Sequence, residues 1–557
     1  MAKWGVFLYK SIIKRKLICI LIILVCLLAF QIYRIFKFQY SETSKLSVIA
    51  NSQYEYTENL SDINYNLFDA NGKQLLNYNT IYDIVIVPNL FKDNFNDPMN
   101  EKLLTVMYIL NNYNSTLGKY KDGFDLRDDI EKNQSIILKY EVNEETYNEI
   151  KKISGLKGMY AYKHIEVDRR YAWKIENVIT NANTIKNGKT VNKDGNSLEN
   201  LIQQKLKQNK FPQVTFQRKV DGEITEEQNI IPENNLNIRL TINKDIEDKI
   251  DEVLKDKKYS DYKNIGVLLV ESNTGKIISI NQKDNTQPNV IIGASTNHGL
   301  YPGSIFKVIV EEAGLDKKSI NLAKSYTCNG IYEKDSHRFH GTLTPGEALS
   351  ASCNDIFGQI GMEVGASNFY DNANNQGLFD KVLGLYDEQS GAIEEKEPKL
   401  EDKSIYKTAI GQGVRITPLE AVAIPNTVVN EGKYVKPYII DGYVNNNNDM
   451  VQQCKTENKQ VIEKATANEL KAQMISVVKK GTGTEAAVKN VEVGGKTGST
   501  ERGDTSDGWF TGFFKIGEKY YSIVVICPEI NKNTESASNT ASPVFQQIVE
   551  TVSPLLK

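Results

Sequence analysis

Histidine and tryptophan are nearly absent from this sequence, with four of one and three of the other in 557 residues. So few imidazoles cannot furnish several metal or acid–base centres, which makes the position of each one informative. An excess of charge of one sign is also missing. With 67 Lys and Arg against 70 Asp and Glu, the net charge of −3 supplies no basic field for a polyanion, and no nucleic-acid partner is expected. Six cysteines are too few and too irregularly spaced for a disulfide framework. Cys19 and Cys26 fall in an apolar stretch, leaving Cys328, Cys353, Cys454 and Cys527 in the far half. The chain is nevertheless too long for one ordinary core, and two or three domains are expected.

There is one long hydrophobic run. Leu17 to Phe30 is unbroken apolar, and Ile32, Tyr33, Ile35 and Phe36 extend it to the length that crosses a bilayer. Lys3, Lys10, Lys14, Arg15 and Lys16 precede the run, against Arg34, Lys37 and Lys45 after it, so the positive-inside bias puts the N-terminus in the cytoplasm. No small-x-small cleavage site follows. The expectation is a cytoplasmic stub at 1–16, an uncleaved single-pass anchor in the cell membrane at 17–36, and an extracytoplasmic remainder.

From 37 to 260 the sequence reads as scaffold. Asn71-Gly72 between apolar runs predicts a hairpin over 67–76. Helices are predicted over 142–153, 197–208 and 246–254, with a strand over 236–240. The composition changes at Ile265 to Val270, which with Ile277 to Ile280 across Asn273-Thr274-Gly275 reads as a two-stranded antiparallel pair. Residues 304–425 are mainly helical, 509–514 and 520–526 are strands, and 546–556 returns as a final helix.

Chemistry is concentrated in this second part. In Pro302-Gly303-Ser304-Ile305-Phe306-Lys307 a hydroxyl and an amine lie three residues apart at the start of a predicted helix, on one face. Serine needs an adjacent base, and lysine serves as one only where burial and neighbouring cations depress its pKa. The spacing alone is cheap, since it recurs at Ser11/Lys14, Ser154/Lys157, Ser404/Lys407 and Ser476/Lys479. What distinguishes Ser304 is its company: Ser352-Cys353-Asn354 lies 48 residues on, and Lys496-Thr497-Gly498-Ser499 follows a glycine-bearing strand.

Those three segments in that order resemble the penicillin-recognising serine acyltransferases and, more narrowly, the class B penicillin-binding proteins, monofunctional D,D-transpeptidases of cell-wall synthesis. His340-Gly341, Gly411-Gln412-Gly413 with Thr417-Pro418-Leu419, Gly481-Thr482 and Trp509 to Phe513 are similar to further stretches of that family. The resemblance covers about 262 to 557. Upstream, Asp69 to Gly72, Arg170-Tyr171, Ser197 to Glu199 and Leu240 to Asn243 look like remnants of the family's pedestal, without the Arg-Gly usual near its start. No acidic motif set for a glycosyltransferase stands in 40–260, which excludes the bifunctional class A form.

The resemblance implies an α/β (α+β) fold: a transmembrane helix, an elongated mixed pedestal at 37–260, and a transpeptidase domain at 261–557 with a five-stranded antiparallel sheet flanked by helices. It implies Ser304 as nucleophile, Lys307 as base and Ser352 as proton relay. Asn354, Lys496, Thr497, Gly498 and Ser499 would bind the D-Ala-D-Ala stem peptide, with oxyanion donors from the backbone of Ser304 and Ser499. Peptidoglycan stem peptides, β-lactams, the membrane, a polytopic glycan polymerase and other wall-synthesis proteins are the implied partners; an elongation, division or sporulation role stays open. The chemistry itself needs no cofactor.

Scarce residues cluster once more. Cys328, Asp335, His337 and His340 form Cys-x6-Asp-x-His-x2-His, a donor set that suits a structural zinc between the nucleophile helix and Ser352. The bland alternative has His340 in the local His-Gly turn, Cys328 in the core and Asp335 in solvent. Two other functions compete. A β-lactamase lacks support because no Glu-x-x-Leu-Asn stands between Ser352 and Lys496, and a β-lactam sensor lacks its multi-span protease. A non-catalytic wall-synthesis scaffold is disfavoured by the intact set of site residues.

Overall fold

A computed structural model describes residues 2–37, 54–117, 125–330, 339–401 and 403–557, with side chains in the first helix from Lys16 onward. That first helix, α1 (Ala2–Phe36), contains the one stretch among the described residues long and apolar enough to cross a membrane, Lys16–Phe36, none of it buried. Asp335 and His337 of the predicted zinc set lie outside the described residues.

The chain divides into two compact units. The first comprises 1–62, 79–166 and 211–231. It holds two three-stranded sheets, Glu55–Asn59 with Gln213–Arg218 and Ile224–Ile230, and Tyr78–Ile86 with Leu138–Val142 and Met159–Val167. The helix expected over 142–153 is confined to Glu144–Lys151. Val142 belongs to a strand paired with Tyr82, and the Asn143 side chain caps the helix by accepting from the Thr146 N–H.

The second unit comprises 63–78, 167–210 and 232–557. The hairpin expected over 67–76 is present: Phe68 pairs antiparallel with Gln74, the Leu75 N–H donates to the Leu67 carbonyl at 2.9 Å, and Gly72 takes φ +86 in the turn. Leu67–Phe68 also pairs in parallel with Asn237–Leu240, and the buried Asp69 carboxylate ties the two together by accepting from the backbone N–H groups of Asn71, Lys73 and Lys244. Helix α2 (Lys244–Leu254) buries Ile246, Ile250, Val253 and Leu254 at helical spacing and is capped by Asn243. It also buries Glu247, whose Oε2 lies 3.3 Å from Lys174 Nζ, itself 2.8 Å from Glu176. Burial, with Glu176 beside it, holds the Glu247 carboxyl well above the usual range. Lys174→Ala removes the compensating cation and is expected to cost on the order of 3 kcal/mol, read as a lower denaturation midpoint.

The sheet expected of the second part is present. Strands β1 (Gly266–Glu271), β2 (Lys276–Gln282), β3 (Val493–Arg502), β4 (Thr505–Ile516) and β5 (Lys519–Asn531) form a five-stranded sheet in the order β2-β1-β5-β4-β3, every pair antiparallel. Both faces are covered. On one lie α2 and the C-terminal helix Ala541–Val552, which begins five residues before the predicted start because Ala541, Val544 and Phe545 already pack against the sheet. Beyond the other lie α3 (Lys307–Asp316), α4 (Pro345–Ala351), α5 (Asn354–Val364), α6 (Ala366–Asn375) and α7 (Lys464–Lys480). Strand β3 is an edge strand, so its outer backbone is free of the ladder.

Candidate active site

Gly303 takes φ +56, and Gly303–Phe306 winds as a 3₁₀ turn running directly into α3 at Lys307. With three residues per turn, Ser304 and Lys307 fall on one side. The turn presses on the edge of β3. A Cβ on Gly498 would stand 2.6 Å from the Pro302 carbonyl oxygen, so only glycine lets strand and turn approach this closely. Gly498→Ala is expected to push β3 off the turn and slow acylation by roughly 100-fold, the scale of a 1 Å misplacement, with little change in circular dichroism.

Ser352 caps the C-terminus of α4 in the left-handed conformation, φ 55 and ψ 37. Such strain in a non-glycine residue costs about 1 kcal/mol or more and points to function. It turns the chain so that three groups converge on the fully buried Lys307. Lys307 Nζ donates to the Ser352 carbonyl and to Asn354 Oδ1, each at 2.7 Å, and lies 3.4 Å from Ser352 Oγ.

From the sheet side, Lys496 on β3 is equally buried and reaches the same hydroxyl, with Nζ 2.9 Å from Ser352 Oγ and 2.9 Å from the Thr497 carbonyl. Burial first, and the charge of Lys307 second, hold the Lys496 ammonium well below its usual range. Two ammonium groups sharing one hydroxyl in a dry site do not both stay protonated, so the pair titrates as a unit. Thr497 Oγ1 is 2.6 Å from Thr482 Oγ1, and Ser538 Oγ donates to the Thr482 carbonyl at 2.7 Å. Ser499 Oγ accepts the Ala537 N–H at 3.0 Å. Hydroxyls, one cationic site and a free strand edge are what an extended peptide ending in a carboxylate needs.

Beside this site, Tyr326–Thr327 pairs antiparallel with Thr342–Leu343, which sets Cys328 across from Gly341 and brings His340 near. Cys328 Sγ is 3.9 Å from His340 Nδ1, and the donor atoms of Cys328, His340 and Cys353 all lie within 4.8 Å of one another.

The family described as the penicillin binding protein transpeptidase domain matches residues 265–550. The chain belongs to this family. Among relatives of this penicillin-binding protein, "Stage V sporulation protein D" of Bacillus subtilis (strain 168) is 27% identical over 293 residues, 49% of this chain and 45% of that protein. "Penicillin-binding protein PbpB" of Mycolicibacterium smegmatis is 25% identical over 347 residues, covering 56% of this chain and 53% of its own length. The chain thus spans about half the length of these two. The "Peptidoglycan D,D-transpeptidase FtsI homolog" of Mesostigma viride is 24% identical across 93% of this chain and 92% of its own. A solved chain described as a peptidoglycan glycosyltransferase from Atopobium parvulum DSM 20469 superposes with a TM-score of 0.51 at 20% identity, over 62% of this chain and 83% of that one, which shows a shared fold.

In this penicillin-binding protein the tertiary structure sets Ser304, Lys307, Ser352, Asn354, Lys496, Thr497, Gly498 and Ser499 around one edge of the sheet. Three participants carried no assigned role in the sequence reading. Thr482 was visible only as part of Gly481-Thr482, Ser538 had no local signal, and Cys353 sat unremarked between Ser352 and Asn354 although it faces the Cys328 and His340 donors.

Proposed function

We propose that this chain is a class B peptidoglycan D,D-transpeptidase acting through a Ser304 acyl-enzyme. The observation that carries the reading is the Ser352 hydroxyl, shared by two buried lysines beside the nucleophile turn. With Lys307 neutral, two N–H groups hold Ser352 and Asn354 while the lone pair accepts the Ser304 proton. Ser304 Oγ then attacks the carbonyl of the penultimate D-Ala, with the oxyanion held by the backbone N–H groups of Ser304 and Ser499. The arriving terminal carboxylate, bound by Lys496 and Thr497, stabilises on Lys496 the proton that the two lysines share and so leaves Lys307 unprotonated at the moment of attack. As the C–N bond breaks, Ser352 passes the proton from Lys307 to the departing D-Ala amine. An amine of a neighbouring stem peptide attacks the ester next and regenerates Ser304.

In the same reading α1 is the single-pass anchor with a cytoplasmic N-terminus, the catalytic unit works outside the membrane, and a polytopic glycan polymerase is the neighbouring partner. The test is the mass of the intact protein after exposure to penicillin. One adduct that persists for many minutes is expected; release within seconds assigns a β-lactamase instead.

A second reading concerns a metal at Cys328, His340 and Cys353, with Asp335 and His337 as further donors. Two thiols and an imidazole this close suit zinc. Bound there, zinc would supply structural cross-linking between the 328–340 segment and the helix that starts at Asn354, fixing Ser352 rather than activating water. Metal analysis of the purified protein is expected to find about one equivalent of zinc, reduced in Cys353→Ser and His337→Ala; a wild type free of zinc ends this reading.

A further inference from the structure

The helix that carries Lys307 also carries two acids that no step above uses. Glu311 and Glu312 are adjacent on α3, and neither has any exposed surface. Neighbours on a helix diverge by about 100°, so they face different partners. Glu311 is turned toward Gln473 on α7, and Glu312 toward Gln376 and Asn372 at the end of α6. Among the described residues, no cation is paired with either acid. Glu311 is otherwise near Glu469 on α7 and Tyr326, and Glu312 near Asp316 on its own helix. Lys307, one turn before Glu311, has its described hydrogen bonds at Ser352 and Asn354.

The hydrogen-bond inventory of these pockets is unbalanced by a proton. Gln376 Nε2 donates to Glu312 Oε1 at 2.6 Å, yet Glu312 Oε2 and Gln376 Oε1 are two buried acceptors without a hydrogen-bond partner, against one such donor nearby, Asn372 Nδ2. Both Glu311 oxygens and Gln473 Oε1 are likewise without a hydrogen-bond partner, while one N–H of the Gln473 amide donates to Glu469 Oε1 at 3.3 Å and leaves the other for Glu311. Buried polar atoms are almost always paired. A carboxylic acid opposite a primary amide resolves this, because the amide N–H donates to the C=O while the acid O–H donates to the amide oxygen. Gln473 also packs on α4, where a Cβ on Gly346 would stand 3.0 Å from it. The Glu311 joint therefore connects the helices that lead to Lys307, to Ser352 and, through α7, to Thr482 and β3.

We propose that Glu311 and Glu312 are positioning residues: as protonated acids they fasten α3 to α7 and α6 through acid–amide pairs with Gln473 and Gln376, and so hold Lys307 in register with Ser352 and Lys496. The proposal rests on the transpeptidase reading for what Lys307 does, but not for the pairs themselves. Burial pushes both carboxyls up from 4.5 to about 8. A raised carboxyl contributes stability that is complete below about 4.5 and is lost as pH rises toward about 8. Above that, carboxylates in these pockets oppose Glu469 and Asp316 and loosen the helix.

The test compares the full-length protein in detergent with the double variant Glu311→Gln/Glu312→Gln, whose amides mimic the protonated acids at every pH. Second-order acylation by a fluorescent penicillin is followed from pH 6 to 10, alongside melting temperature. Equal rates are expected near pH 6.5, with the wild type falling to about a tenth of the double variant or less by pH 9, and melting curves that diverge in the same direction. Glu312→Leu, which leaves Gln376 unpaired, is expected to slow acylation at all pH values. Superimposable pH profiles with a pH-independent melting difference overturn the proposal. Absence of any Ser304-dependent adduct overturns the transpeptidase reading instead, and the melting comparison still reads the two acids.

Discussion

Covalent labelling of the membrane-bound protein by a fluorescent penicillin is expected to vanish in Ser304→Ala. Of the other serines with a lysine three residues on, Ser154, Ser260, Ser404 and Ser476 lie among the described side chains, and none of these is joined by a second serine shared between two buried lysines. Removing the attacking oxygen leaves no atom at the head of α3 able to form an ester, so the loss is complete rather than graded. Ser304 is partly exposed at the turn, and the substitution deletes one hydroxyl without touching the packing of Ile305 or Phe306, so the melting temperature stays within a few degrees. Full labelling of the variant would move the nucleophile elsewhere and undo the mechanism.

Lys307→Ala carries the second large effect. General-base catalysis is worth roughly 10² to 10⁴ in rate, and here the same amine also holds the strained Ser352 in place through its carbonyl and secures Asn354. Both functions are lost together, so acylation is expected to fall by about 10⁴ or more. The pH profile identifies the cause. Without the Lys307 charge, Lys496 loses the second of the two influences that depress it, so its pKa rises and residual carboxylate binding persists to higher pH than in the wild type. A drop of less than tenfold, with an unchanged profile, would remove Lys307 from the role of base.

The legibility of this protein differs from element to element. Helix α2 was readable because Ile246, Ile250, Val253 and Leu254 repeat at helical spacing behind an Asn cap, and the β1–β2 pair because Thr274-Gly275 punctuates two apolar runs. Both are local patterns. The hairpin over 67–76 was readable from Asn71-Gly72, but its parallel partner was not, because that partner lies some 170 residues away, at Asn237–Leu240, and the contact that ties them is a buried aspartate reaching Lys244. At the site, motif order singled out Ser304 from its look-alikes, yet the left-handed Ser352 left no mark in composition or spacing, because the strain exists only where Lys307 and Lys496 converge on it.

By itself the sequence determined the chemistry on offer: which hydroxyls and amines exist, their order, an apolar helix at the start and a glycine at each close approach, since these depend on residue identity and short-range periodicity. Tertiary structure alone decided what those groups do to one another. Ser304, Ser352 and Lys496 are spread over 193 positions of chain, and only folding sets them on one strand edge, dries the two lysines enough to oppose their charges, turns Cys353 toward Cys328 and His340, and leaves Glu311 and Glu312 with amides for company. Burial and mutual distance govern a pKa or an unpaired acceptor, and neither is a property of any short stretch of sequence.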